Sequence, residues 1–187
     1  MRYNIVFLFF FLISTSFAQT YADSSDGGGG IVYGSNHAFI ISAPKGWVLD
    51  NSSGVSQGLY AVFYPKGGSW EQSPAVMFAN TASRKSKDNE TVTKLIEYDS
   101  NQFKSNHPEV KIGDLLSLRT KKEKSAIVKT FAYTQYEAVA YIEEETIIAM
   151  IVLTTRTEEQ FNKALPAFRE LVSSYLFITK DVHLQNK

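Results

Sequence analysis

Ile147-Ile148-Ala149-Met150-Ile151-Val152-Leu153 is apolar at every position, and it constrains the fold more than any other stretch of the chain. A strand with one wet face alternates apolar and polar residues, whereas a strand without alternation is covered on both faces. The run therefore predicts a central strand with one layer above it and another below. Three strands lead into it, at about 110–119, 126–134 and 136–143, and the central strand itself covers 146–155. Their short polar turns predict an antiparallel meander. Val139, Tyr141 and Glu143 alternate, which predicts a neighbouring strand with one wetter end.

Upstream, Phe39-Ile40-Ile41, Leu59 to Tyr64 and Ala75 to Ala79 read as further strands, separated by Pro/Gly turns at Pro44-Lys45-Gly46 and Pro65-Lys66-Gly67-Gly68. Helical spacing appears twice. Between Asp88 and Asn106, Val92, Leu95, Ile96 and Phe103 share one side, with Asp88 or Asn89 available as a cap and Pro108 as a stop. Thr157-Glu158-Glu159-Gln160 is a capping box, and Phe161, Leu165, Phe168, Leu171, Val172 and Tyr175 form the stripe of the helix it opens. Pro166 inside that helix removes one hydrogen bond and predicts a bend. The expected class is α+β: a central, mostly antiparallel sheet of about seven strands with two helices packed on it.

The beginning of the chain reads as an export signal. Arg2 supplies positive charge, Ile5 to Ile13 is unbroken apolar, and Ser16-Phe17-Ala18 offers a small-residue cleavage site before Gln19. Residues 1–18 are thus expected to be a removed leader, 19–30 a flexible tether ending in four glycines, 31–178 one domain and 179–187 a polar tail. With no cysteine, there is no thiolate metal site, no thiol chemistry and no lipidated N-terminal Cys. An exported product, periplasmic or secreted, without a stable membrane anchor after leader removal is the expectation. Equal numbers of acidic and basic residues, 19 each, give no reason to expect a nucleic-acid partner. Sequons occur at Asn51 and Asn89, each in a polar stretch.

The punctuation resembles that of the PsbP-like superfamily, which includes photosystem PsbP proteins, Ran-binding nuclear-transport relatives and periplasmic proteins of the DcrB type. Carrying the resemblance are Phe39-x-Ile41-x-x-Pro44-x-Gly46-Trp47, Val62-x-Tyr64-Pro65, and the closing Phe161-x-x-x-Leu165-x-x-Phe168-x-x-Leu171-Val172-x-Ser174-Tyr175. The resemblance spans about 31–178 and implies an α/β/α sandwich. Members share architecture while doing unrelated work, so it implies no particular chemistry.

Candidate sites are few. His37, His107 and His183 have no metal-ligand spacing, and no nucleophile elbow accompanies the serines. Glu143-Glu144-Glu145 reads as a charged hairpin tip. The loop from Pro65 to Pro74 stands out, with Lys66, Trp70 and Glu71 as candidate binding residues. Trp70 is either an exposed anchor or a ring folded back over the core. Neither a cofactor nor a metal is expected. The reading is a non-enzymatic protein-interaction or envelope-stabilising module with a protein partner; the alternative is a carrier of small molecules or lipids.

Overall fold

Strand β10 (Ile147–Thr155) is the axis of the molecule, and its two faces belong to different cores. The computed structural model describes residues 19–22 and 28–182. The expected leader 1–18, the middle of the expected tether (23–27), His183 and the rest of the tail lie outside the described residues.

On one side of β10 runs β6 (Ala75–Ser83), then β5 (Val62–Pro65) and β4 (Trp47–Asp50). On the other runs β9 (Tyr136–Glu143), then β8 (Ser125–Ala132) and β7 (Lys111–Arg119). All these pairings are antiparallel, and they make a sheet of seven strands as expected. Helix α2 (Glu158–Ser174) packs on the face formed by Ala138, Ala140, Ile142, Ala149, Ile151 and Leu153. Helix α1 (Val92–Asn106) covers part of the opposite face, where Val139, Tyr141, Ile148 and Val152 point. The two apolar faces of the Ile147–Leu153 run thus each find their layer.

The N-caps follow local chemistry. Thr157 accepts a hydrogen bond from the Gln160 backbone N–H at 3.2 Å, and the Gln160 side chain accepts one from the Arg156 N–H. For α1 the cap is Thr91, bonded to the Lys94 N–H at 3.3 Å, rather than Asp88 or Asn89. Those two residues instead occupy a short 3-10 turn, which leaves Asn89 buried at 4% exposure. The second sequon is therefore closed in the folded protein, whereas Asn51 is exposed. Helix α2 continues through Pro166.

Beyond the single central sheet that the sequence predicts, the structure contains a second, four-stranded one. Its order is β1 (Gln19–Ala22), β2 (Gly29–Gly34), β3 (His37–Ser42) and β11 (Leu176–Thr179), all antiparallel. Two expected boundaries shift in consequence. The stretch read as a tether contains β1 and the first two residues of β2, because ladder hydrogen bonds need only backbone. The last strand reaches Thr179, one residue into the expected tail. Val32, Phe39 and Ile41 join the α2 core, with the Phe39 ring 5.0 Å from Tyr175. Ser174 ties the end of α2 to β3: its hydroxyl accepts from the Ser42 N–H at 3.0 Å and donates to the Leu171 carbonyl at 2.7 Å. Close approach governs the β2–β3 hairpin, since a Cβ on Gly34 would lie 2.6 Å from the His37 ring.

Candidate functional site

The Pro65–Pro74 loop settles the two readings of Trp70. Its ring is 2% exposed and meets Phe78 edge-on, centroids 6.2 Å apart and planes at 89°. It packs in the same cluster as Leu59, Val62 and Val76, on the face that α1 covers farther along the sheet. The loop is built to hold it there. The Lys66 N–H bonds the Gly46 carbonyl at 2.8 Å, Gly67 takes φ +85°, and Ser73 bonds Ser69 both ways through backbone and hydroxyl. Lys66 and Glu71 are exposed. The three expected binding residues therefore converge only in part: the buried Trp70 and the exposed Glu71 line one cleft with Gln135, Thr154 and Arg156, whereas Lys66 lies toward the turn at Gly46. That cleft holds about 20 Å³, room for a single water. A small-molecule carrier needs roughly 300 Å³ or more.

The chemically unusual groups lie under α1. Glu137, Val139, Tyr141 and Glu143 alternate along β9 on the face that α1 partly covers; Tyr141 and Glu143 bond the helix directly, and Glu137 reaches it through Tyr133, whose ring lies 5.7 Å from Phe103. The Glu143 carboxylate bonds Arg84 at 2.9 Å and accepts from the Val92 N–H in the first turn of α1 at 3.4 Å. The Tyr141 hydroxyl donates to Asp99 at 2.8 Å. The Tyr133 hydroxyl donates to Glu137 and lies 3.3 Å from the Gln135 side chain. Aromatic rings close the C-terminal end: Phe103 stacks on Phe131 at 4.0 Å, and His107 stacks on Tyr133 at 4.2 Å.

Burial pushes the Asp99 carboxyl up to about 6, against the lowering effect of the Tyr141 hydrogen bond. Burial likewise pushes Glu137 up to about 7, with Tyr133 opposing it. Burial, then the neighbouring Asp99 charge, holds Tyr141 well above its ordinary range. A carboxyl titrating near neutrality can exchange protons at physiological pH, the property a general acid or base needs. Thr154, one wall of the one-water cleft, is the cross-strand partner of Glu137.

The three glutamates of the β9–β10 turn are individually tied: Glu143 to Arg84, Glu144 to Lys124, and Glu145 to Lys180. Glu144 is 8% exposed, so the hairpin tip is less solvated than its composition predicts. Among the described residues, no three His, Asp or Glu side chains are placed to hold a metal ion. No helix among them is long and apolar enough to cross a membrane.

Sequence reasoning missed Asp99 and Glu137, although one of them left a signal. Asp99 falls in the apolar stripe of α1, four residues after Leu95 and four before Phe103. A charge inside such a stripe marks a helix that packs on something polar. Glu137 left no comparable mark, because a glutamate at the start of a strand is ordinary.

No protein-family model matches the chain, and no curated protein matches it. Among solved structures, it is similar to the solution structure of cyanobacterial PsbP (CyanoP) from Synechocystis sp. PCC 6803. That likeness covers 90% of this chain and 96% of the other, at 14% identity and a TM-score of 0.49. It is a likeness of fold alone.

Proposed function

We propose that the chain is an exported, non-enzymatic module that docks a protein partner through the outer face of its four-stranded sheet. The observation that supports this reading is a row of aliphatic side chains, exposed at its two ends and half-buried between them. Ile31, Ile40 and Leu176 are successive cross-strand partners on β2, β3 and β11. Ile31 is 41% exposed, and Ile178, two residues beyond Leu176 at the bulge in β11, is 48% exposed. The opposite face of the same sheet is core, so the row is not needed for packing. An aliphatic strip on an otherwise satisfied sheet is the usual mark of an interaction surface.

The leader-like residues 1–18 support export. Asp99 and Glu137 support the non-enzymatic part of the reading, since both are engaged by tyrosines within the helix–sheet layer. The test is site-specific photocrosslinking of the full chain expressed in its own host. A photoreactive residue at Ile31 or Ile178 is expected to give a discrete protein adduct, and one at Lys163, exposed on α2, is expected to give none. Equal labelling at all three positions, or none at any, would sink the reading.

A further inference from the structure

Helix α1 is held on the sheet by a layer in which two carboxyl groups pair with no cation among the described residues. Asp99 comes from α1 itself and Glu137 from β9, and the partners of both are tyrosine hydroxyls. The other charged groups facing this layer are committed elsewhere. On β8, Lys129 pairs with Asp114 of β7. At the far end, Arg84 pairs with Glu143 of β9 and also bonds the Glu90 and Glu144 carbonyls. After α1, the His107 ring stacks on Tyr133 with its Nδ1 3.8 Å from Glu109. From β10 the face receives Ile148, Met150, Val152 and Thr154, none of them titratable. The Asp99 and Glu137 charges are also felt together, because both act on the Tyr141 hydroxyl.

We propose that α1 is a protonation-dependent latch: neutral Asp99 and Glu137 let the helix seat on the sheet, and their ionisation loosens it, uncovering Leu95, Phe131 and Tyr141. The geometry makes α1 the weaker of the two helices to begin with. Leu95 is its one buried residue, whereas α2 buries Phe161, Ala164, Phe168, Leu171 and Val172. The sign follows from linkage. Both carboxyls titrate higher in the seated state, about 6 and about 7, than in an open or unfolded chain, where ordinary carboxylate values hold. The stabilisation is therefore complete below about pH 4 and is lost as pH rises through 6 to 7.

The experiment is amide hydrogen exchange on the full chain at pH 5 and pH 8, corrected for the intrinsic pH dependence of exchange, with α2 as the internal reference. The amides of 92–106 are expected to open about tenfold or more further at pH 8 relative to α2, since one unit of pKa shift is tenfold. In the Asp99→Asn, Glu137→Gln double variant that extra opening is expected to vanish, leaving α1 at its acid-state protection. Parallel changes in α1 and α2 in the wild type would overturn the proposal, as would a double variant that keeps the pH dependence. If the variant fails to fold, carboxyl NMR titration of the wild type decides, and ordinary carboxylate values for both groups would overturn it.

Discussion

The two faces of strand β9 show how one sheet can be made dry on one side and titratable on the other. Ala138, Ala140 and Ile142 point toward α2, where small residues let the helix sit close and its Phe168 and Leu171 become fully buried. Glu137, Val139, Tyr141 and Glu143 point toward α1, where polar groups must be hydrogen-bonded before the helix can seat. The α2 layer is thus held by area, and the α1 layer by a small number of specific partners. Stability and responsiveness are separated by nothing more than the two-residue period of a strand.

The sharpest way to break this comparison is to remove one buried side chain from each layer. Phe168→Ala is expected to cost about 4 kcal/mol, because it opens a cavity among close-packed neighbours. Leu95→Ala is expected to cost about 2 kcal/mol, since a helix seated on polar contacts can settle over the gap. Denaturant unfolding measures both, and equal losses would erase the distinction between the layers. Trp70→Ala tests the α1 face away from the helix. A loss of about 3 kcal/mol is expected there, with adduct formation from Ile178 unchanged. Normal stability with lost adducts would return Trp70 to the role of an exposed anchor.

The smallest expected effects are the most diagnostic, because two aspartates are predicted to respond to pH with opposite signs. Asp99→Asn is expected to raise stability by about 1–2 kcal/mol at pH 8 and to change nothing near pH 4. Asp50 behaves the other way. Burial raises its pKa, but hydrogen bonds from the Ser53 and Ser52 hydroxyls and backbone N–H groups outweigh burial and hold it well below the usual carboxylate range. A depressed folded pKa stabilises above the unfolded value and is lost as pH falls below about 4. Asp50→Asn should therefore cost about 1 kcal/mol at pH 7 and less in acid. Thermal melts of both variants from pH 3 to 8 check the two signs together.

Several of these features were legible in the residues themselves. The α2 stripe, its Thr157 cap, the end of α1 at Asn106 and the doubly buried β10 all rest on patterns a few residues long. Each matches the structure. Asp99 was also present in the pattern, as a charge inside an apolar stripe, but its meaning depended on Tyr141, 42 residues away. The burial of Trp70 was open in the sequence, because either orientation of the ring satisfies the turn chemistry of its loop. Asn89 looked like a surface sequon until a 3-10 turn buried it.

The sequence by itself determined the two helices, the Thr157 cap, the central strands from β5 to β10 and which residues of each element share a face. These depend on the 2- and 3.6-residue periods and on hydrogen bonds spanning about four positions, all of which are local. Only the tertiary structure decided that the chain closes a second sheet by pairing β11 with β3. The same holds for the burial of Trp70 over Phe78 and for the two carboxyls under α1 that meet tyrosines instead of cations. Those outcomes turn on contacts such as Ser42 with Ser174, 132 residues apart, and on what remains in solvent once the cores are filled. No window of neighbouring residues contains that information, because burial and its effect on a pKa belong to the whole packed chain.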